Sequence, residues 1–374
     1  MRATLYSTNY PLVDLDIEGK FVYKIFEVID TVHLPIALQN LALQNRLSVE
    51  SLNSWLQKRT IPDQREGLAA VRKLHGDFEC YRHMASLTDP YWICFSPRES
   101  WSKINFFNNS YSSAIGEAQF MPWAVTRSDL HIESPDLTTN GLLPKVWVHD
   151  SQMQSYLVKA GSRALKQHPL SEVLATVCLH NYNLLPYVPY TLTIYGLKVC
   201  SKCPNFVKPG TEFVPAKAVY DAEPKIAGDT VYGHMIRAAE HFGIKKPGRF
   251  IDRMIMADAL IGNSDRHLGN FGYLRDTESG QLIDFAPLFD FGGAFSPYDS
   301  DARPRVFANQ LPRVQRKFAH LFKPSFFVKH DELYSLIDAY PDLTQVEKEK
   351  IREGIRQRDL FFSQTLSERG VISR

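Results

Sequence analysis

The sequence predicts an α+β fold in which a small strand-rich lobe precedes a larger helical lobe. Short β-like runs cluster between residues 89 and 205, and the clearest pair, 145–148 and 155–159, is separated by residues that favour a turn. Helical periodicity dominates after residue 205 and also follows an irregular start of the chain. We therefore expect three parts: a helical N-terminal extension at 1–88, the strand-rich lobe at 89–205 and the helical lobe at 206–374.

Composition excludes several classes of protein. The 374 residues are 44% hydrophobic, which is enough for a substantial core and argues against global disorder. The formal net charge of +2 does not suggest a protein that coats nucleic acid or docks on a membrane through a polybasic surface. No apolar run approaches the roughly 20 residues that span a bilayer, and the first ten residues lack the apolar segment of a secretion signal. Five cysteines fit a reducing compartment, so we expect a cytoplasmic protein.

Apolar residues in the N-terminal region recur at helical spacing, first from Ile36 to Leu52 and again from Glu66 to Met84. The same region carries several basic residues, namely Arg46, Lys58, Arg59, Arg65, Arg72 and Lys73. A pair of helices facing DNA is one interpretation. Acidic residues are interspersed with the basic ones, so we prefer a solvated helical face, and DNA contact through this region is the less favoured alternative.

The strand-rich lobe is predicted to continue beyond its hairpin with a helix over 169–179 and two strands over 189–195 and 198–203. Ser171 is the expected cap of the helix, and Glu172 lies in its first turn. The helical lobe contains an apolar helix over 249–261, a short strand over 281–285 and two closing helices over 331–340 and 344–367.

Cys200 and Cys203 form a lone CxxC motif. A zinc site needs two more ligands, for which Cys178 and His180 are the nearest candidates, but a second knuckle is missing. We therefore prefer a structural role for these cysteines over metal binding or redox chemistry.

The chemistry is concentrated after the helix over 249–261. Asp265 is followed five residues later by Asn270, and Asp290 begins an Asp-Phe-Gly motif about twenty residues further on. Kinase-type phosphoryl transfer needs this set, in which one Asp accepts the hydroxyl proton while the Asn and the second Asp hold the Mg²⁺ that bridges the phosphates of ATP. Each residue alone is an ordinary turn residue, but both motifs in this order predict a phosphotransferase.

Phosphoryl transfer also needs a cation on the phosphates. Lys159 at the end of a strand is the best candidate, and Glu172 on the next helix is its expected partner. His267 is predicted to steer the hydroxyl, contact the phosphate or brace the loop, and Arg266 to pair structurally.

A phosphate-covering loop is expected over 134–145, just before the hairpin. It has a single glycine and matches no standard nucleotide-binding motif. Thr139, Asn140, Gly141 and Lys145 are the expected contacts to the nucleotide, and Lys145 is either a second phosphate cation or a residue that begins the strand.

The stretch Asn263-Ser264-Asp265-Arg266-His267-Leu268-Gly269-Asn270, with the Asp-Phe-Gly motif after it, resembles the HipA-like kinases of bacteria over roughly 134–295. The resemblance implies a protein-kinase-like fold distantly related to phosphoinositide kinases. It implies Asp265 as catalytic base, Asn270 and Asp290 as Mg²⁺ ligands and Lys159 as the ATP lysine. It also implies a protein substrate and a possible antitoxin or regulatory partner.

Two features depart from that family. The first ~90 residues are not expected to form the small β-rich domain of HipA toxins, and the metal motif reads Asp-Phe-Gly rather than Asp-Tyr-Asp. The family's loop equivalent to 134–145 carries an autophosphorylated serine, where this chain has Thr138 and Thr139. A serine/threonine protein kinase is therefore the leading hypothesis. The alternatives are a lipid or small-molecule kinase and an inactive nucleotide-binding or interaction module.

Overall fold

The computed structural model describes residues 1–75, 82–126, 133–297, 305–321 and 328–367. Within these ranges the strands form three antiparallel sheets. The strands are β1 (Arg2–Ser7), β2 (Tyr10–Glu18), β3 (Phe21–Val28), β4 (Tyr91–Cys94), β5 (Lys145–His149), β6 (Ser155–Ala160), β7 (Thr191–Tyr195), β8 (Lys198–Pro204), β9 (Thr211–Pro215), β10 (Gly272–Asp276) and β11 (Leu282–Phe285).

Helices pack around these sheets and make up most of the second half of the chain. They are α1 (Ile36–Leu43), α2 (Val49–Gln57), α3 (Leu68–His75), α4 (Trp101–Ile104), α5 (Ala114–Phe120), α6 (His168–Tyr182), α7 (Ala216–Ala222), α8 (Val231–His241), α9 (Pro247–Ile261), α10 (Leu311–Phe318), α11 (His330–Ala339) and α12 (Gln345–Ser367). The expected α+β class, with a small strand-rich lobe before a helical lobe, is confirmed. Among the described helices, none combines the length and apolarity needed to cross a membrane.

The N-terminal region corrects the sequence-based prediction. Its first 28 residues are three strands rather than an irregular or helical segment, and they join β4 in a sheet of order β3-β2-β1-β4. Inward-facing Val13, Leu15 and Ile17 of β2 are buried and alternate with more exposed residues, which is the strand period of two. The region is thus β-rich at its start and helical only from α1 onward, so the expectation that this end of the chain is not β-rich is wrong.

The helices of this region follow the predicted pattern in part. The first helical pattern becomes α1 and α2, and α2 begins with a capping box between Ser48 and Ser51. The second is α3 over Leu68–His75; residues 76–81 lie outside the described ranges, and residues 82–84 are not helical, so the predicted helix does not reach Met84. The first sheet also takes its fourth strand from beyond residue 88, so the division into three domains remains a proposal.

The second sheet has the order β5-β6-β8-β7 and confirms the predicted hairpin and the two strands after it. In its register Lys145 of β5 lies directly opposite Lys159 of β6, and Lys159 lies opposite Ser201 of β8. Helix α6 packs behind this sheet and begins at His168, with Pro169 in its first turn. Ser171 is therefore inside the helix and does not cap it, which corrects that prediction.

The third sheet has the order β11-β10-β9. The loop with Asp265 and Asn270 leads into β10, and the Asp-Phe-Gly motif follows β11. Helix α9 has Pro247 at its start and ends at Gly262, whose φ of 61° is the left-handed conformation that glycine adopts without strain. A side chain at Gly262 would also collide with Arg358 of α12. The chain therefore turns sharply at Gly262 and enters the loop that contains Asp265.

A buried arginine joins the first sheet to the third. The Nη1 atom of Arg275 in β10 donates to Glu212 of β9 at 2.8 Å and to the Tyr91 hydroxyl of β4 at 3.1 Å. The same guanidinium donates to the carbonyls of Val32 and Leu34, in the link between β3 and α1. The N-terminal sheet is thus anchored to the hairpin of β10 and β11, which lies between Asn270 and Asp290.

Candidate active site

Lys159 forms the centre of a three-member ion-pair network. Its Nζ atom lies 2.5 Å from Glu172 Oε1 and 2.7 Å from Asp290 Oδ1. The three residues come from β6, α6 and the segment after β11, so the fold gathers groups 131 residues apart in sequence. The predicted partnership of Lys159 with Glu172 is present, and Asp290 joins it directly.

The neighbours of this network hold its geometry. Ser201, opposite Lys159 in the sheet, donates its hydroxyl to the second oxygen of Glu172. The backbone N–H of Asp290 donates to the Tyr190 hydroxyl at 3.1 Å, and Asp290 adopts a φ of 61°, which few residues with a side chain tolerate. Such a backbone conformation outside glycine is typical of functional sites, where surrounding contacts enforce it.

Lys159 and Asp290 stabilise each other's charged forms. Burial lowers the pKa of Lys159, but the carboxylates of Asp290 and Glu172 more than offset this effect and raise the pKa above its ordinary value. Burial likewise raises the pKa of Asp290, but the field and hydrogen bond of Lys159, together with the charges of Lys145 and Arg266, outweigh burial and hold the pKa well below the usual range. The lysine is therefore cationic and Asp290 anionic at neutral pH, as a phosphate cation and a metal ligand need to be.

Lys145 places a second basic side chain beside Lys159. It lies directly across the hairpin from Lys159 and donates from Nζ to the carbonyl of Asn140 at 2.8 Å. Burial, together with the positive charges of Arg65 and Lys159, lowers the pKa of Lys145 to about 7. Two like charges opposite each other on neighbouring strands are unfavourable, so this arrangement favours an anion bound between them.

The predicted phosphate-covering loop is folded on itself. Residues 135–138 form a turn of 3-10 helix, and the Thr138 hydroxyl donates to the carbonyl of Ala85 at 2.9 Å. The Thr139 hydroxyl donates to the Pro135 carbonyl at 2.6 Å and accepts from the Trp147 indole at 2.8 Å. Both hydroxyls thus support the loop in this conformation.

Asp136 anchors the same loop from inside. Its fully buried carboxylate accepts the backbone N–H groups of Trp147 at 2.8 Å and Gly116 at 3.2 Å. Asn140 and Gly141 form the tip, next to Lys145, and Gly141 has a φ of 98° that only glycine adopts readily. The loop tip therefore lies beside the second cation.

The loop after α9 presents Asp265 to solvent. The Asp265 side chain is 55% exposed, and it forms an ion pair with Arg305, whose Nη1 lies 3.8 Å from Oδ1. The amide nitrogen of Asn270 donates to the Asp265 carbonyl at 3.3 Å, which leaves its amide oxygen as the atom suited to a cation. His267 accepts the N–H of Gly269 at 3.0 Å through Nδ1, so it braces the loop, as one of its predicted roles required.

Arg266 ties the two motifs together from beneath. Its guanidinium is buried and forms two bonds with Asp258 of α9, Nε to Oδ2 at 2.9 Å and Nη2 to Oδ1 at 3.0 Å. The remaining nitrogen donates to the carbonyls of Asn270 at 2.5 Å and Phe289 at 2.7 Å. One side chain thus holds the backbone of Asn270, a predicted metal ligand, and of Phe289, which directly precedes Asp290.

Gly293 brings the two segments into contact. A Cβ added there would lie 2.8 Å from Cβ of Asp265 and 3.0 Å from the side-chain oxygen of Asn263. Asn263 is itself bound to Asp258, its amide donating to Oδ1 at 2.9 Å. Asp258 is not among the predicted site residues, although an acidic residue in the last turn of the apolar helix before the loop is a signal that the sequence contains.

The donor set fits Mg²⁺. Among the described residues there is no cluster of three or more His, Cys, Asp or Glu side chains that forms a complete metal site. Mg²⁺ does not need one, because it binds through one or two carboxylates and takes phosphate oxygens and water for the rest. The carboxylate of Asp290 and the amide oxygen of Asn270 are the side-chain groups that would hold it.

The two cysteines of the CxxC motif point to different parts of the core. Cys200 packs in the small cluster with Val146 and Val158, whereas Cys203 packs in the main core. Residues three apart on a strand face opposite sides, so the two thiols do not converge on a metal. The preferred structural interpretation agrees with this placement.

Comparison with known proteins gives the following relatives. No protein-family model matches the chain. A curated relative, the serine/threonine-protein kinase CtkA of Helicobacter pylori, is 34% identical over 92 residues, which is 25% of this chain and 27% of that protein. The match thus spans about a quarter of the length of either protein.

Two solved structures are similar. A structure of the toxin–antitoxin proteins HipA and HipB with their operator DNA, from Shewanella oneidensis MR-1, matches with a TM-score of 0.50 and 11% identity, covering 97% of this chain and 97% of that chain. The crystal structure of the H. pylori proinflammatory kinase CtkA matches with a TM-score of 0.48 and 18% identity, covering 62% of this chain and 93% of that chain. The first match includes nearly the whole chain and therefore also the N-terminal sheet.

Proposed function

We propose that this chain, which has the HipA-like kinase fold, transfers the γ-phosphoryl group of ATP to a serine or threonine hydroxyl of a protein. The observation that carries the proposal is the network in which Lys159 binds both Glu172 and Asp290. A lysine held by a helix glutamate beside a metal-binding aspartate is the arrangement that positions ATP in kinases. The curated kinase relative supports the choice of a protein hydroxyl as acceptor.

In this proposal, Lys159 binds the α- and β-phosphates and Lys145 binds a further phosphate oxygen. Asp290 and Asn270 would hold Mg²⁺, which when bound would neutralise negative charge on the phosphate oxygens. Asp265 takes the proton of the acceptor hydroxyl, the hydroxyl oxygen forms the new bond to the γ-phosphorus, and the bond from that phosphorus to the bridging oxygen of ADP breaks. The exposure of Asp265 supports this role, because an acceptor side chain can reach it.

Two further assignments belong to the proposal. Thr139, Asn140 and Gly141 form the loop tip beside the proposed phosphate site, and the Thr139 hydroxyl is engaged within the loop, so the contribution of these residues is to shape this edge of the site. His267 keeps the loop in shape through Gly269. A regulatory protein partner is also part of the proposal, because the similar HipA was solved together with HipB and its operator DNA.

Phosphate transfer from [γ-³²P]ATP to a peptide library tests the proposal. The wild type is compared with Asp265→Ala and Asp290→Ala, and with Asp221→Ala as a matched control. Asp221 lies on the exposed surface of α7 and pairs with Lys217. Both site variants should lose at least about a hundredfold in rate, and the control should retain the wild-type rate. Undiminished transfer in either site variant contradicts the mechanism.

The same assay separates the alternatives. Lipid and small-molecule acceptors are tested beside the peptides, and transfer only to them would replace the protein acceptor. ATP binding without any product from the wild type would indicate an inactive nucleotide-binding module.

A further inference from the structure

Arg65 lies between α2 and α3, far in sequence from the proposed active site, and its side chain is only 2% exposed. Its guanidinium forms two hydrogen bonds with the tip of the phosphate-covering loop. Nε donates to the carbonyl of Gly141 at 2.9 Å, and Nη2 donates to the carbonyl of Thr139. Lys145 donates to the carbonyl between them, that of Asn140, at 2.8 Å. Three successive carbonyls of the loop are thus bound by two cationic side chains.

The backbone on either side of Arg65 holds the same loop. The N–H of Ile61 donates to the Leu137 carbonyl at 2.8 Å, and the N–H of Glu66 donates to the Leu142 carbonyl at 2.9 Å. A short segment of the N-terminal region therefore runs along the loop and pairs with it at both ends. The position of the loop depends on this segment as well as on the hairpin that follows it.

The charge of Arg65 is unusual for its position. Burial lowers its pKa to about 10, so it remains charged at neutral pH. Among the described residues it forms no ion pair within 4 Å, and its Nη1 atom is buried without a hydrogen-bond partner. A buried cation without a direct ion pair is costly for folding, although the field of the buried Asp136 carboxylate partly opposes the effect of burial on Arg65. Arg65 lies near Lys145, which is itself opposite Lys159, and this concentration of positive charge indicates a site prepared for a polyanion.

We propose that Arg65 is a positioning residue for the triphosphate of ATP, which it serves by fixing the loop tip at Thr139–Gly141. Carbonyl oxygens repel phosphate oxygens, and Arg65 and Lys145 neutralise three of them at the edge of the cleft. The loop can then approach the phosphates although it contains a single glycine, Gly141. This inference rests on the proposed function, because it assumes that the cleft binds ATP.

The test measures the affinities of the full-length protein for ATP and for adenosine by calorimetry. Adenosine lacks the phosphates, so a residue that orders the phosphate loop affects ATP and leaves adenosine unchanged. Arg65→Gln is compared with Arg72→Gln, a matched change in α3 at a surface arginine that pairs with Asp63. We expect Arg65→Gln to weaken ATP binding about tenfold with adenosine affinity as in the wild type, and Arg72→Gln to change neither.

Each other outcome has a definite meaning. Unchanged ATP affinity in Arg65→Gln, or equal losses for ATP and adenosine, overturns the role of Arg65. A wild type that binds no ATP overturns the proposed function and this inference with it. If Arg65→Gln does not fold, Arg65→Lys decides, because a lysine keeps the charge but cannot span both carbonyls; wild-type ATP affinity in that variant overturns the inference.

Discussion

Lys159 and Asp290 form a direct ion pair, with Nζ 2.7 Å from Oδ1, across the cleft between the strand-rich and helical lobes. The lysine is almost completely buried, whereas the aspartate side chain is 40% exposed. The pair therefore has one side open to solvent, where phosphate oxygens can reach the lysine and a cation can reach the second carboxylate oxygen. Glu172 keeps Lys159 in place from the closed side.

The first prediction concerns this pair as a unit. Lys159→Met and Asp290→Asn should each slow phosphoryl transfer by about a hundredfold or more, and the double variant should be no slower than the slower single variant, because groups that act together are not additive. The measurement is a single-turnover rate at saturating ATP. Lys202→Met on the neighbouring β8 is the control. Losses that multiply in the double variant would show that the two residues act independently.

The second prediction concerns Arg266, whose buried guanidinium pairs with Asp258 and holds two carbonyls. Arg266→Met leaves Asp258 as an uncompensated buried charge, and we expect it to lower the free energy of unfolding by about 3–5 kcal/mol. Urea denaturation measures the loss. Arg249→Met at an exposed position of α9 should change stability by less than about 0.5 kcal/mol.

A second variant distinguishes charge from packing at this position. Adding Asp258→Leu to Arg266→Met removes the stranded carboxylate and should recover part of the stability, since replacing both partners of a buried pair costs less than breaking it. If the double variant is less stable than Arg266→Met, the carboxylate was not the source of the loss.

Local patterns are sufficient to predict the core of the site. The hairpin of β5 and β6, helix α6 and the two Asp motifs follow from alternation, turn residues and spacing within short windows. The sequence alone therefore predicts the pairing of Lys159 with Glu172 and gives Asp290 as an expected Mg²⁺ ligand. The N-terminal sheet cannot be predicted in this way. Its strand β1 pairs with β4, which lies more than eighty residues later in the sequence, and a pattern within a short window does not predict such a pairing.

Side chains that act between distant segments also escape prediction. Ser201 binds Glu172 because β8 pairs with β6, and Arg65 reaches a loop more than seventy residues away. In the sequence, Arg65 is one of several basic residues and suggests only a solvated face. The fold instead buries it, because the segment around it pairs with the loop backbone.

The third prediction concerns the thiols of β8. Burial raises the pKa of both Cys200 and Cys203 to about 12, so neither forms the reactive thiolate at neutral pH. Iodoacetamide should leave both unmodified in the native protein and modify both after denaturation, as read by mass spectrometry of the peptides. Zinc that copurifies in a one-to-one ratio and is lost in Cys200→Ser would contradict their structural role.

The fourth prediction concerns Lys145 and the dependence of stability on pH. Burial lowers its pKa to about 7, with further lowering by Arg65 and Lys159 against the opposing fields of Asp290 and Glu172. In the unfolded chain the pKa returns to its ordinary value near ~10.4. Between these two values the unfolded state binds one proton more than the folded state, so this group makes the nucleotide-free protein more stable as pH rises from about 7 towards 10.

Lys145→Met removes this contribution. Relative to the wild type, the variant should gain most stability at pH 6, where the wild type carries the buried charge, and the gain should shrink steadily by pH 9. Urea denaturation of both proteins without nucleotide at pH 6, 7, 8 and 9 measures the difference. Lys202→Met, at a less buried lysine of the adjacent strand, should show no such trend. A stability difference between wild type and Lys145→Met that is the same at every pH would mean that Lys145 does not titrate in this range.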